Sequence, residues 1–100
     1  MRPDSLRGVP DAYAVRVVDD SMAERFKPGN VLQVDPHRRP QPGDNVVVQL
    51  HDGQAFIKEL VRRTERVIAC RQLNPPEPVE YKPAHVLAVH MVVGIDFLER

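Results

Sequence analysis

Tryptophan is absent from these 100 residues, and cysteine occurs once, at Cys70. A single thiol builds no disulfide framework and no cysteine-based metal cluster. Set in the apolar run Val67-Ile68-Ala69-Cys70, it is expected to be a buried, inert thiol. Excess charge of either sign is also missing, since 14 Lys and Arg balance 14 Asp and Glu. No sequence-wide basic field therefore points to direct nucleic-acid binding. No apolar stretch approaches the roughly 20 residues of a membrane helix. The N-terminus lacks the apolar core of a signal peptide. A cytoplasmic, reducing setting without membrane contact or cofactor is the expectation.

What is present suits one small domain with a modest core. Residues 1–11 are polar and broken by Pro3, Gly8 and Pro10, which reads as a flexible arm or linker, leaving 12–100 as a single domain. Tyr13 to Val18 is rich in β-branched residues and suits a strand. Asp19-Asp20-Ser21-Met22-Ala23-Glu24 can start a short helical turn capped by Asp or Ser. Lys27-Pro28-Gly29-Asn30 fits a type II turn, followed by a short strand over Val31 to Val34. Asp35 to Pro42 holds three prolines and two arginines and suits an exposed loop. Pro42-Gly43 repeats the turn chemistry before Asn45 to Leu50, the most strand-like run of the chain.

His51-Asp52-Gly53-Gln54 predicts a hairpin with a tight primed turn, folding Ala55 to Val61 back on Asn45 to Leu50. Alternation then puts Phe56, Lys58 and Leu60 on one face and Ile57 and Glu59 on the other. Arg62 to Arg66 reads as a charged turn and Val67 to Arg71 as another strand. The prolines of Asn74-Pro75-Pro76-Glu77-Pro78 remove backbone donors, which predicts irregular structure. Val86 to Ile95 is apolar on both faces, as for a central strand or one buried between subunits. The fold class that follows is mainly β.

Two residues stand out for chemistry. Ser21 ends the strand-like Val17-Val18-Asp19-Asp20 run, and Lys58 lies among apolar residues in Phe56-Ile57-Lys58-Glu59-Leu60. A serine needs a base to become a nucleophile, and a lysine serves only where burial strips its proton. On residues alone two readings stand side by side, a Ser–Lys dyad or a turn-capping serine with a lysine that reaches water. A turn after Ser21 would aim backbone N–H groups where an oxyanion forms. The histidines His37, His51, His85 and His90 lack metal-ligand spacing and read as surface or packing residues, though a Ser21–His90 pair stays conceivable. Arg38 and Arg39 read as part of a solvated loop.

Larger-scale pattern adds a resemblance. Val15 to Met22, then Lys27-Pro28-Gly29-Asn30-Val31-Leu32-Gln33-Val34-Asp35, resembles the LexA/phage-repressor peptidase domain, part of the LexA/signal-peptidase-like serine peptidases. Pro42-Gly43-Asp44-Asn45-Val46-Val47-Val48 is similar to that family's second Gly-Asp hairpin. Ala55-Phe56-Ile57-Lys58-Glu59-Leu60 resembles its Lys-bearing strand, and the Ser21–Lys58 separation of 37 positions matches its spacing. Val92-Val93-Gly94-Ile95 looks like the closing strand.

The resemblance implies small, strongly bent antiparallel sheets, with Ser21 as nucleophile and Lys58 as general base. It implies backbone N–H groups of Asp20 and Ser21 as oxyanion donors, with Met22 packed beside the nucleophile. It further implies self-cleavage that separates this domain from a DNA-binding helix-turn-helix, stimulated by a recombinase filament on single-stranded DNA in an SOS response. Homodimerisation would let two DNA-binding arms span an operator.

Asp19 stands where the family carries Gly, and two readings are open. Its charge opposes a neutral Lys58, or it points to solvent, since alternation puts Asp19 and Asp20 on opposite sides. No helix-turn-helix and no Ala-Gly or Cys-Gly bond precedes Ser21 in this sequence. The expectation is therefore an excised domain, a cleavage product or a stand-alone relative that stays intact on incubation at alkaline pH. Two alternatives remain: a non-catalytic interaction module such as a cleaved polymerase accessory subunit, and a signal-peptidase relative, which the missing anchor disfavours.

Overall fold

The computed structural model describes residues 11–96. Most of the arm expected over residues 1–11 lies outside the described residues. Seven antiparallel strands form one sheet: β1 (Tyr13–Arg16), β2 (Val31–Asp35), β3 (Asn45–Leu50), β4 (Ala55–Arg63), β5 (Ile68–Leu73), β6 (Pro76–Tyr81) and β7 (Val86–Asp96). Their order in space is β1-β2-β7-β3-β4-β5-β6. The single 3-10 turn described, Pro83–His85, leads into β7. The mainly β class expected from the sequence is what the chain adopts. No helix among the described residues is long and apolar enough to cross a membrane.

Hairpins β3–β4, β4–β5 and β5–β6 account for one side of the sheet, while β1 and β2 form the other. Strand β7 lies between them, pairing with β2 on one edge and β3 on the other. Its apolar character on both faces fits that central position. Bulges interrupt the ladders at Gln33/Val34, Gln49/Leu50 and Leu60/Arg62, and each adds local bend and twist.

Two apolar clusters result. Val46, Val48, Leu60, Ile68, Cys70 and Val89 join β3, β4, β5 and β7. Val17, Met22, Phe26 and Leu32 gather under the β1–β2 connection, with Ile57, Leu73, Val92 and Ile95 against them. Cys70 is buried, as its apolar neighbours suggested.

Several local expectations change. Strand β1 stops at Arg16, yet Val17 stays tied to the following turn, its N–H donating to Asn30 O at 2.8 Å and its carbonyl accepting from Gly29 N at 2.8 Å. Gly29 takes a φ of 95°, the value a type II turn requires at its third position. The β3–β4 hairpin forms, but its turn is not the primed one. Gly53 N–H donates to Leu50 O and Leu50 N–H to Gln54 O, and within that loop only Gly53 has positive φ, at 95°. This is a three-residue loop with a glycine bulge, which Gly53 supports without help from Asp52.

Strand β4 runs on to Arg63, through residues read as a turn. The proline run also proves more regular than expected, because Pro76 and Pro78 begin β6. Strand β6 is an edge that pairs with β5 alone. Residues two apart present their N–H groups to the same side, so both prolines can leave the missing donor on the unpaired edge.

Candidate active site

Strands β1 and β4 are four steps apart in the sheet, about 19 Å if the sheet were flat at ~4.8 Å per step. The segment leaving β1 nevertheless touches β4, so the sheet curls back on itself. Lys58 Nζ donates to Ser21 Oγ at 3.4 Å. Several contacts hold the Ser21 segment in that position. Met22 is 1% exposed in the second apolar cluster, a burial that stabilises by about 1.5–3 kcal/mol. Phe26 N–H closes the turn onto Met22 O at 2.9 Å. Across the curl, Leu73 and Asn74 donate their backbone N–H groups to Ser21 O, at 3.1 and 2.8 Å. The Asn74 side-chain amide donates to Asp20 O at 3.0 Å.

Lys58 is 4% exposed, and its Nζ lies 5.7 Å from the centre of the Phe56 ring. Burial pushes its pKa below the ordinary lysine range, opposed by the negative charges of Asp19, Cys70 and Glu77. Burial in turn pushes the Cys70 thiol up to about 11. An amine in this environment gives up its proton more readily than one in water.

Ser21 is half-buried and bonded on its other side to Asp19. Oδ1 of Asp19 accepts from both the Ser21 backbone N–H, at 3.1 Å, and the Ser21 hydroxyl, at 3.0 Å. The N–H anticipated as an oxyanion donor is thus engaged by a carboxylate. Beside these groups lies a cleft of about 110 Å³ walled by Val15, Val17, Val47, Ala55 and Ile57, with Ser21 and Lys58 in its lining. Arg16 and Asp19 add polar groups to Ser21 and Lys58 in that otherwise apolar lining, and the volume is small beside that of an ordinary ligand pocket.

A second polar cluster adjoins the first. Glu59 Oε1 accepts from Arg25 Nη1 at 2.7 Å and from Arg71 Nη2 at 2.9 Å. Arg25, in the turn after Ser21, also donates to Asn45 at 2.8 Å. The Arg25 hydrogen bond, ahead of those from Arg71, holds the Glu59 carboxyl below the usual range. This bridge joins the Ser21 turn to the strand carrying Lys58. Sequence reading missed both Glu59 and Asn74. Alternation had placed Glu59 beside Lys58 on the opposite face, the one available hint, whereas nothing local marks Asn74.

Two of the histidines are engaged elsewhere. His90 Nδ1 meets Tyr13 Oη at 2.7 Å, and Gln49 donates to the same hydroxyl at 3.1 Å. His37 pairs with Asp11 at 3.2 Å. The pairing of Ser21 with His90 weighed from the sequence is therefore not formed, and Ser21 meets Lys58 instead. Among the described residues, no group of three or more His, Cys, Asp or Glu is arranged to hold a metal ion.

Comparison with known proteins gives the same direction. Residues 1–94 match the Peptidase S24-like family. The chain is 38% identical over 99 residues to "Repressor protein C" of Rhizobium phage 16-3, which covers 91% of this chain and 38% of the phage protein. It is 37% identical over 68 residues to "Prophage repressor CohE" of Escherichia coli strain K12, covering 66% of this chain and 30% of that protein. The chain thus spans well under half the length of either repressor. With a bent antiparallel sheet, a serine in the turn that follows its first strand and a match over nearly the whole length, this chain belongs to the Peptidase S24-like family.

Proposed function

We propose that this chain is the C-terminal module of a phage or prophage repressor, with a single domain from residue 12 onward and a Ser21–Lys58 peptidase dyad. The observation that carries the reading is Lys58 Nζ, 4% exposed as a residue, at 3.4 Å from Ser21 Oγ. Neutral Lys58 takes the hydroxyl proton as Ser21 Oγ attacks a peptide carbonyl of an extended segment in the cleft. The C–N bond then breaks, the amine leaves with a proton from Lys58, and water hydrolyses the resulting ester. Backbone N–H groups at Asp20 and Ser21 are the oxyanion donors, and Met22 holds the nucleophile turn.

In this reading cleavage separates the module from a DNA-binding domain that contacts the operator, and pairs of modules dimerise the repressor in the cytoplasm. A recombinase filament on single-stranded DNA is the inducing partner. The test is a serine-directed fluorophosphonate, in which Ser21 Oγ displaces fluoride from phosphorus while Lys58 accepts the proton. Labelling at Ser21 that Ser21→Ala and Lys58→Ala both abolish is the expected result. Labelling that survives Lys58→Ala removes the dyad. Light scattering is expected to give twice the 11.4 kDa chain mass; a strictly monomeric chain at high concentration removes the dimer.

The doubly engaged Asp19 carboxylate favours a second reading, an interaction module without peptidase activity. Absence of any Ser21 labelling supports it.

A further inference from the structure

We propose that Asp19 is a carboxylate lock that keeps Ser21 in a resting state. The inference rests on the Ser21–Lys58 peptidase reading and adds a residue that sets when the dyad works.

The direction of the hydrogen bonds carries the argument. Lys58 Nζ donates to Ser21 Oγ at 3.4 Å, and the Ser21 hydroxyl donates onward to Asp19 Oδ1 at 3.0 Å. Attack requires the reverse at the first link, with the hydroxyl proton pointing at an unprotonated Nζ. As long as Asp19 accepts that proton, the lone pair of Lys58 has no proton to take. The same Oδ1 accepts from the Ser21 backbone N–H at 3.1 Å. A negatively charged oxygen there competes with a substrate carbonyl for the donor an oxyanion needs.

Asp19 also acts on the base, because its charge favours protonated Lys58 against the desolvation that favours the neutral amine. Cys70 and Glu77 act on Lys58 in the same sense, but Asp19 alone of the three bonds to Ser21. One side chain thus opposes the nucleophile, the oxyanion donor and the base together. It is also free to leave. Asp19 is exposed, and its hydrogen-bond partners among the described residues are the two Ser21 groups alone. A peptide entering the cleft can displace it without disturbing the core.

The experiment measures two quantities on the whole chain: the rate of Ser21 labelling by diisopropyl fluorophosphate between pH 6 and 10, and the Lys58 side-chain titration by NMR. Asp19→Ala is expected to label about tenfold faster at neutral pH, the factor set by loss of one charge-assisted hydrogen bond. Its rise with pH is expected to begin at lower pH than in the parent chain. Asp19→Asn keeps an acceptor of the same shape without the charge, so the Lys58 midpoint falls while labelling accelerates less. If Asp19→Ala labels no faster and leaves the Lys58 midpoint in place, while parent labelling still depends on Lys58, the lock is overturned and the dyad stands. If Ser21 labels in neither chain, or labels without need of Lys58, the dyad falls and the lock with it.

Discussion

At the scale of single residues, Lys58 is retained at a cost to the fold. Its ammonium must be carried into a site only 4% exposed, and burial lowers its pKa from the ordinary 10.5. The unfolded chain therefore binds more protons than the folded one between the lowered value and 10.5, and stability rises with pH across that window. Lys58→Met fills the same space without a charge. It is expected to raise stability at pH 7 by about 1 kcal/mol, the low end for replacing buried charge by apolar volume. The gain shrinks as pH approaches 10.5, which urea denaturation at pH 7 and pH 10 measures directly.

Ser21 and Lys58 each sit in a local pattern, a serine closing a β-branched run and a lysine flanked on its own face by Phe56 and Leu60. Those patterns left a turn-capping serine and a water-reaching lysine standing, and only the family spacing paired the two. Asp19 was legible as a charge near Lys58, but its double bond to Ser21 depends on a turn geometry that composition does not encode.

Between elements, the Arg25–Glu59–Arg71 bridge links the Ser21 turn, β4 and β5. Its carboxylate is 14% exposed, and its pKa lies below the ordinary 4.5, first through the Arg25 hydrogen bond. A depressed carboxylate contributes stability above 4.5 and loses it as pH falls through the lower folded value. Glu59→Gln is expected to cost about 1 kcal/mol at pH 7, given the exposure of both arginines. The difference from the parent chain closes as pH drops below 4.5; thermal melts from pH 3 to 7 follow it. Persistence of the full difference at pH 3 would assign it to packing rather than charge.

Elements whose bonds are local, the Gly29 turn and the β3–β4 hairpin, were readable from turn residues, though the type of the hairpin turn was not. The β7 strand was readable from its long apolar run despite its distant partners. Strand β6 was not, because Pro76 and Pro78 are acceptable only on an edge, and a linear sequence does not say which strand lies outermost. The contacts of Asn74 with Asp20 and Ser21 escaped for a related reason, being 53 or more positions away and joined only by the curl of the sheet.

At the scale of the whole molecule, strand order decides what the chain can assemble and when. Residues Tyr13 to Asp35 supply β1, β2 and Ser21, and residues Asn45 to Tyr81 supply β3 to β6 and Lys58. Strand β7 pairs with β2 on one side and β3 on the other. Ending the chain after His85 is expected to abolish both the cooperative urea transition and any Lys58-dependent labelling of Ser21. A truncated chain that still unfolds cooperatively would show that the curl holds without its middle strand.

The last strand is therefore the keystone that brings two half-sites together. A polypeptide emerging from the ribosome carries its serine and its lysine on separate, unjoined ribbons until that strand is synthesised. If Ser21 and Lys58 form the proposed dyad, the order of translation withholds that pair until β7 is in place.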